Sequence, residues 1–218
     1  MTVSMATPTL TLMRTSMPSN LFSRRSLLAT AISGLGLAAL PFPALAISEN
    51  GARDLVGSVV NDINKVIASG KSEAAMIRDF EKIFVRYADV PIMAQYALGV
   101  DGRRASKSQM RAFTKAFQSY ISRKYGKRFR EFIGGGIEVK SARKIRAGYE
   151  IKSMATLQGQ APFEVTFLVS DKSGKDKFFN MFIEGVNLLL TERTEIGAML
   201  DQRKGDIDKL ISDLKKMS

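Results

Sequence analysis

The 218-residue chain contains no histidine and no cysteine. That removes the His general base, the Cys or Ser–His nucleophile pair and any Cys/His metal site. A carboxylate-based site remains possible, with Asp176 and Glu184 as the candidate pair. The same Glu184 could instead brace the turn at Gly185. There is no Gly-rich phosphate loop and no calcium-loop pattern of alternating acids. Gly134-Gly135-Gly136 lies between a helical and a strand pattern, the reverse of the strand-to-helix order that a phosphate cradle needs. Cations are denser than acids: Arg103-Arg104, then Arg123, Lys124, Lys127, Arg128 and Arg130, then Arg143, Lys144 and Arg146. Such clusters can meet anionic headgroups, a membrane surface or an acidic partner, or can be a solvated face. Tyr125 and Phe129 inside the second cluster also suit nucleic acid.

An export signal argues against nucleic acid. Ser23-Arg24-Arg25-Ser26 precedes an apolar stretch from Leu27 to Leu40, Pro41 and Pro43 break it, and Ala44-Leu45-Ala46 follows. A basic region, a short apolar core and a small-x-small site are the three parts of a cleaved signal. The arginine pair points to the twin-arginine route, and the core is short of the roughly 20 residues that span a bilayer. Residues 1–46 are therefore expected to be a signal, leaving 47–218 as one domain. Three of the 33 basic residues lie in the signal, so the remainder carries 30 cations against 21 acids, a net +9.

The elements that must position any site change character midway. Apolar spacing predicts a helix from Ala52 to Gly70, with Leu55, Val59, Ile63, Val66 and Ile67 on its face. A second, capped by Ser72, carries Met76, Ile77, Phe80, Ile83, Phe84 and Tyr87. A short third follows the Asp89 cap and ends at Gly99. Ser106 and Gln109 form a capping box for a long fourth, with Phe113, Phe117, Tyr120 and Ile121 inward and a break near Gly126. Strand patterns then run Ile137–Ile145, Tyr149–Leu157, Phe163–Val169 and Lys177–Ile183, joined by short turns at Gly148, Gly159 and Lys172-Ser173-Gly174-Lys175. Short sequential connections imply an antiparallel meander. Helical spacing resumes after Gly185, and the layout is α+β.

The C-terminal third carries a resemblance. Phe178-Phe179-Asn180-Met181-Phe182-Ile183-Glu184-Gly185-Val186-Asn187-Leu188, then Glu192-Arg193-Thr194-Glu195, and a final helix with Leu210-Ile211-Ser212-Asp213-Leu214, resemble the MlaC family, also called toluene-tolerance auxiliary proteins of ABC transporters. Arg111 to Phe117 and Tyr120 to Tyr125 resemble that family's central helix. The family's usual Trp in the last strand is absent, and Asn180 and Asn187 stand where Asp and Ser are common.

The resemblance implies a periplasmic, monomeric phospholipid carrier, not an enzyme, with lipid as cargo and no cofactor. Its partners would be an inner-membrane MCE-domain ABC transporter complex and an outer-membrane lipoprotein–porin complex, and its role the maintenance of outer-membrane lipid asymmetry. It implies N-terminal helices and a C-terminal helix on a curved antiparallel four-stranded sheet, enclosing an apolar pocket. The physics of cargo agrees: at about 0.8 kcal/mol per buried CH₂, roughly 30 methylenes exceed about 20 kcal/mol, so tails must be enclosed to cross water. Candidate lipid-binding residues are Phe84, Tyr87, Met93, Tyr96, Phe117 and Tyr120 from the helices. The strands offer Ile151, Phe163, Val165, Phe167, Phe179, Met181 and Ile183. Each is equally an ordinary core residue by its spacing. A hopanoid or quinone is an alternative cargo, and a carboxylate-based enzyme an alternative function.

Overall fold

A computed structural model describes residues 47–217, the Phe129 side chain excepted. The expected signal, residues 1–46, lies outside the described residues.

Capping chemistry sets most helix starts. The Ser48 hydroxyl accepts from the Gly51 N–H at 3.0 Å, so α1 runs Glu49–Ile67, three residues ahead of the expected start. α2 spans Glu73–Tyr87 and α3 spans Val90–Leu98, the latter capped by Asp89, whose carboxylate accepts from the Ile92 N–H. A 3-10 turn, Gly99–Arg103, leads to α4, Lys107–Gly126, whose Ser106/Gln109 capping box is complete in both directions. α4 ends at Gly126, where α2 passes so close that a Cβ would sit 3.3 Å from the Ile77 Cα. The apolar pattern beyond it, through Phe132, forms a second 3-10 segment, Lys127–Phe132, rather than more α-helix.

The sheet is an antiparallel meander in sequence order: β1 Gly136–Ile145, β2 Gly148–Thr156, β3 Phe163–Ser170, β4 Lys177–Ile183 and β5 Val186–Asn187. The expected sheet had four strands. The fifth arises because Glu184 and Gly185 both take positive φ, 50° and 79°, the requirement of a two-residue hairpin turn, which folds Val186 back against Ile183. Expected as one C-terminal helix, the last segment is two, α5 Leu188–Gln202 and α6 Ile207–Lys216. Lys204 and Gly205 are left-handed between them, and Asp206 caps α6 by accepting from the Lys209 N–H.

One face of the sheet is apolar and carries the helices. Ala142, Ile151, Phe167 and Met181 pair in a row across β1 to β4, with Tyr149, Val169 and Phe178 in a second row and Ser153, Val165 and Ile183 in a third. A bulge in β4 sets the last phase. Leu168 pairs with Asn180 but Val169 with Phe178, so Phe179 is the extra residue. Asn180 therefore turns to the other face, is 8% exposed, and accepts from the Met181 and Leu189 N–H groups while donating to Asn187 Oδ1. Asn187 in turn caps α5 by accepting from the Leu190 N–H at 3.0 Å. The two asparagines thus tie β4 to the start of α5.

Candidate functional site

Between the sheet and the helices lies a cavity of ≈ 50 Å³. Val59 and Ile63 reach it from α1, Phe80, Ile83 and Phe84 from α2, Met93 from α3, and Ile121 and Tyr125 from α4. The sheet supplies Phe167, Phe178 and Met181, and Leu188 opens α5 beside it. Aromatic contacts frame one side: Phe84 and Phe178 are tilted at 6.3 Å between centroids, and Phe167 meets Phe178 edge-on at 5.6 Å. Among these twelve residues Tyr125 alone has a polar side-chain atom, and its hydroxyl donates to Glu192 Oε1. Such a surface can cover apolar chain.

Of the thirteen residues expected at a lipid site, Phe84, Met93, Phe167 and Met181 line this cavity. Phe117, Tyr120, Ile151 and Val165 are buried in the surrounding core, and Tyr87 and Phe163 pack against it. Ile183 is half-buried at the end of β4 and Tyr96 is 40% exposed, under the Arg193 guanidinium at 5.0 Å. Phe179, the bulge residue, lies off the cavity, and its neighbour Phe178 takes the inward place. Strict alternation back from Met181 selects Phe179, and a bulge has no signal in that period. Val59, Ile63, Phe80, Ile83 and Ile121 are on the helix faces the spacing predicts, so their inward direction was readable; that a hollow lay beneath them was not. The candidate carboxylates do not form a pair: Asp176 and Glu184 are exposed at opposite ends of β4, about 25 Å apart by strand rise.

A different acid is buried. Glu192 on α5 is 0% exposed, one turn beyond Leu188. Its Oε1 accepts from Lys124 Nζ at 2.7 Å and from the Tyr125 hydroxyl. Lys124 also reaches Glu195 Oε2, which accepts from the Tyr120 hydroxyl at 3.0 Å. Glu192 Oε2 finds no donor among the described residues. Burial alone would lower the Lys124 pKa, but its bonds to Glu192 and Glu195 overcome that and hold it above the usual lysine value. Burial pushes the Tyr120 and Tyr125 hydroxyls up, helped next by the Glu192 charge at Tyr120 and by the hydrogen bond to Glu192 at Tyr125, so both stay protonated donors. Sequence reading placed Lys124 in a basic cluster and had no means to see Glu192 beneath it. The network braces α4 to α5 behind the cavity.

The remaining shifts set a direction for acid. The Tyr87 hydrogen bond, with Lys65 and Arg86 nearby, holds Asp62 below its ordinary value against some burial. Bonds from Lys71 and Lys82 do the same for Asp79. A carboxylate lowered in the folded state contributes stability that is present above its unfolded pKa, near 4, and is lost as pH falls through the folded value. Lys124, raised, contributes at all pH below its unfolded pKa. With no histidine in the chain, the thermal midpoint should be level from about pH 7 to about pH 5 and fall steeply below about pH 4. Calorimetry across that range checks this; a midpoint already falling between pH 7 and 6 would contradict it.

Helices closing over the apolar face of a curved meander, with a hollow left between them, define an α+β shell around an interior cavity. Residues 57–216 match the family described as MlaC protein, and the chain belongs to that family. A phospholipid-binding protein from Ralstonia solanacearum, solved in complex with a phospholipid, is similar in fold, with a TM-score of 0.66 at 19% identity. The match covers 76% of this chain and 96% of that one.

Proposed function

We propose that this protein is an exported phospholipid carrier of the periplasm that encloses acyl tails in the apolar cavity. In this reading it shuttles glycerophospholipid between an outer-membrane lipoprotein–porin complex and an inner-membrane MCE-domain ABC transporter complex, so maintaining outer-membrane asymmetry. The observation that carries it is the cavity between β3, β4 and five helices, lined by apolar and aromatic side chains. Membership of the MlaC family and the fold shared with a phospholipid-binding protein support it. The cavity's ≈ 50 Å³ is far below the roughly 300–1,000 Å³ of ordinary ligand sites. The described form is therefore the closed one, and loading must part the helices from the sheet. α1 is the element to move: it packs on β1 to β3 and lines the cavity, whereas Gln118 and Ser119 of α4 hold α2 by donating to Glu81, and the Lys124–Glu192 brace holds α4 to α5.

The test is solvent extraction of the purified protein followed by mass spectrometry, with uptake from labelled vesicles as the second arm. Co-purified glycerophospholipid, or its uptake at about one molecule per chain, is the expected result. A hopanoid or quinone in its place would move the cargo, and a protein that neither carries nor takes up apolar ligand would end the reading.

A further inference from the structure

From Gly102 to Arg130 the chain has ten cations and no carboxylate. Several are used internally. Arg104 pairs with Asp101, Lys124 with Glu192 and Glu195, and Arg128 with Glu131. Arg123 donates to the Leu214 and Met217 carbonyls at the end of α6. Lys107, Arg111 and Lys115 are different. They stand four residues apart on α4, all exposed, and so form one ridge about 12 Å long. Among the described residues, none offers any of the three a hydrogen bond, ion pair or ring contact. Arg103, also exposed and unpaired, precedes the ridge. Phe113, Phe117 and Tyr120 occupy the opposite, buried side of α4. Like charges one turn apart work against a helix, so folding gains nothing from this alignment.

We propose that this ridge docks the protein on an anionic phospholipid bilayer surface. A line of cations without a pocket fits an extended anionic surface better than a single phosphate. A specific protein interface needs an apolar, desolvated centre. None of the exposed large apolar residues here, Val85, Tyr96, Val100, Ile133, Val186 and Leu190, belongs to α4. Headgroup attraction needs charge alone and falls off within a Debye length. Docking would raise the local concentration of carrier at a membrane, and it does not depend on what the cavity holds.

Vesicle co-sedimentation tests this. The purified protein should bind vesicles of mixed phosphatidylglycerol and phosphatidylcholine, release them as salt rises, and ignore pure phosphatidylcholine. Each cation near an anionic surface is worth about fivefold in binding, so Lys107→Gln, Arg111→Gln and Lys115→Gln together should weaken it by about a hundredfold. A second variant, Lys144→Gln, Arg146→Gln and Lys172→Gln, removes the same charge from exposed positions elsewhere and should change it less than about threefold. Equal losses in the two variants would reduce the effect to net charge and overturn the ridge. Absence of binding by the parent protein would overturn it too and leave an acidic protein as the ridge's partner. Lipid extraction from the same preparations reads the cargo separately, so either proposal can fail alone.

Discussion

Replacing Lys124 with methionine should cost about 3–5 kcal/mol of unfolding free energy, the penalty for leaving a buried charge unpaired. The asymmetry of the pair decides the size. Glu192 is 0% exposed, whereas the Lys124 side chain is 29% exposed. Removing the lysine strands the carboxylate in the interior with only the Tyr125 hydroxyl to hold it. Removing the carboxylate is gentler: after Glu192→Gln, Lys124 still reaches Glu195 and partial solvent, so a smaller loss is expected. The double variant Lys124→Met, Glu192→Leu should regain much of the loss, because an apolar pair escapes desolvation altogether. Urea unfolding at pH 7 measures all three, with an unchanged slope showing that the transition itself is unaltered. A Lys124→Met variant within about 1 kcal/mol of the parent would mean that the network braces nothing.

The same network shows where sequence reading stops. Local rules carried far: Ser106 with Gln109, the Asp89 cap, and the strand pattern of Phe163–Val169 each act within a few residues, and each is found as expected. Lys124 and Glu192 are 68 residues apart, and nothing local to either marks the other. Phe179 fails for a related reason. Alternation assumes an unbroken ladder, but the bulge opposite Leu168 and Val169 adds a residue to β4 and exchanges its face for that of Phe178. The extra strand depends on positive φ at Glu184, a residue that rarely adopts it, so Gly185 alone was too little to announce a hairpin. Finally, apolar spacing gives the same pattern for a filled core and a hollow one. Phe84 and Phe117 both face inward, yet only Phe84 borders the cavity.

That distinction between core and cavity gives the second large effect. Met181→Lys should leave the fold standing and abolish phospholipid uptake. Met181 lines the cavity but is only partly buried, so in the closed protein a lysine there can extend its stem along the apolar wall and keep its ammonium wet. Tails filling the cavity would take that exit away and leave an unpaired charge against hydrocarbon, at a cost of several kcal/mol. Binding should therefore fall by about two to three powers of ten, while stability changes by less than about 2 kcal/mol. The control is Met154→Lys on the opposite face of the sheet. Met154 stands between Glu138 and Glu164 on the neighbouring strands, where a new cation gains partners and touches no tail. Uptake from labelled vesicles by the two variants, alongside urea unfolding, separates the outcomes. Equal uptake by Met181→Lys and the parent would show that tails do not pass over β4, and would place the cargo elsewhere even if extraction finds lipid. Loss of uptake in both variants would point to a general defect of the sheet. Loss in Met181→Lys alone, with its fold intact, ties the cargo to the face of the sheet that Phe167, Phe178 and Met181 share.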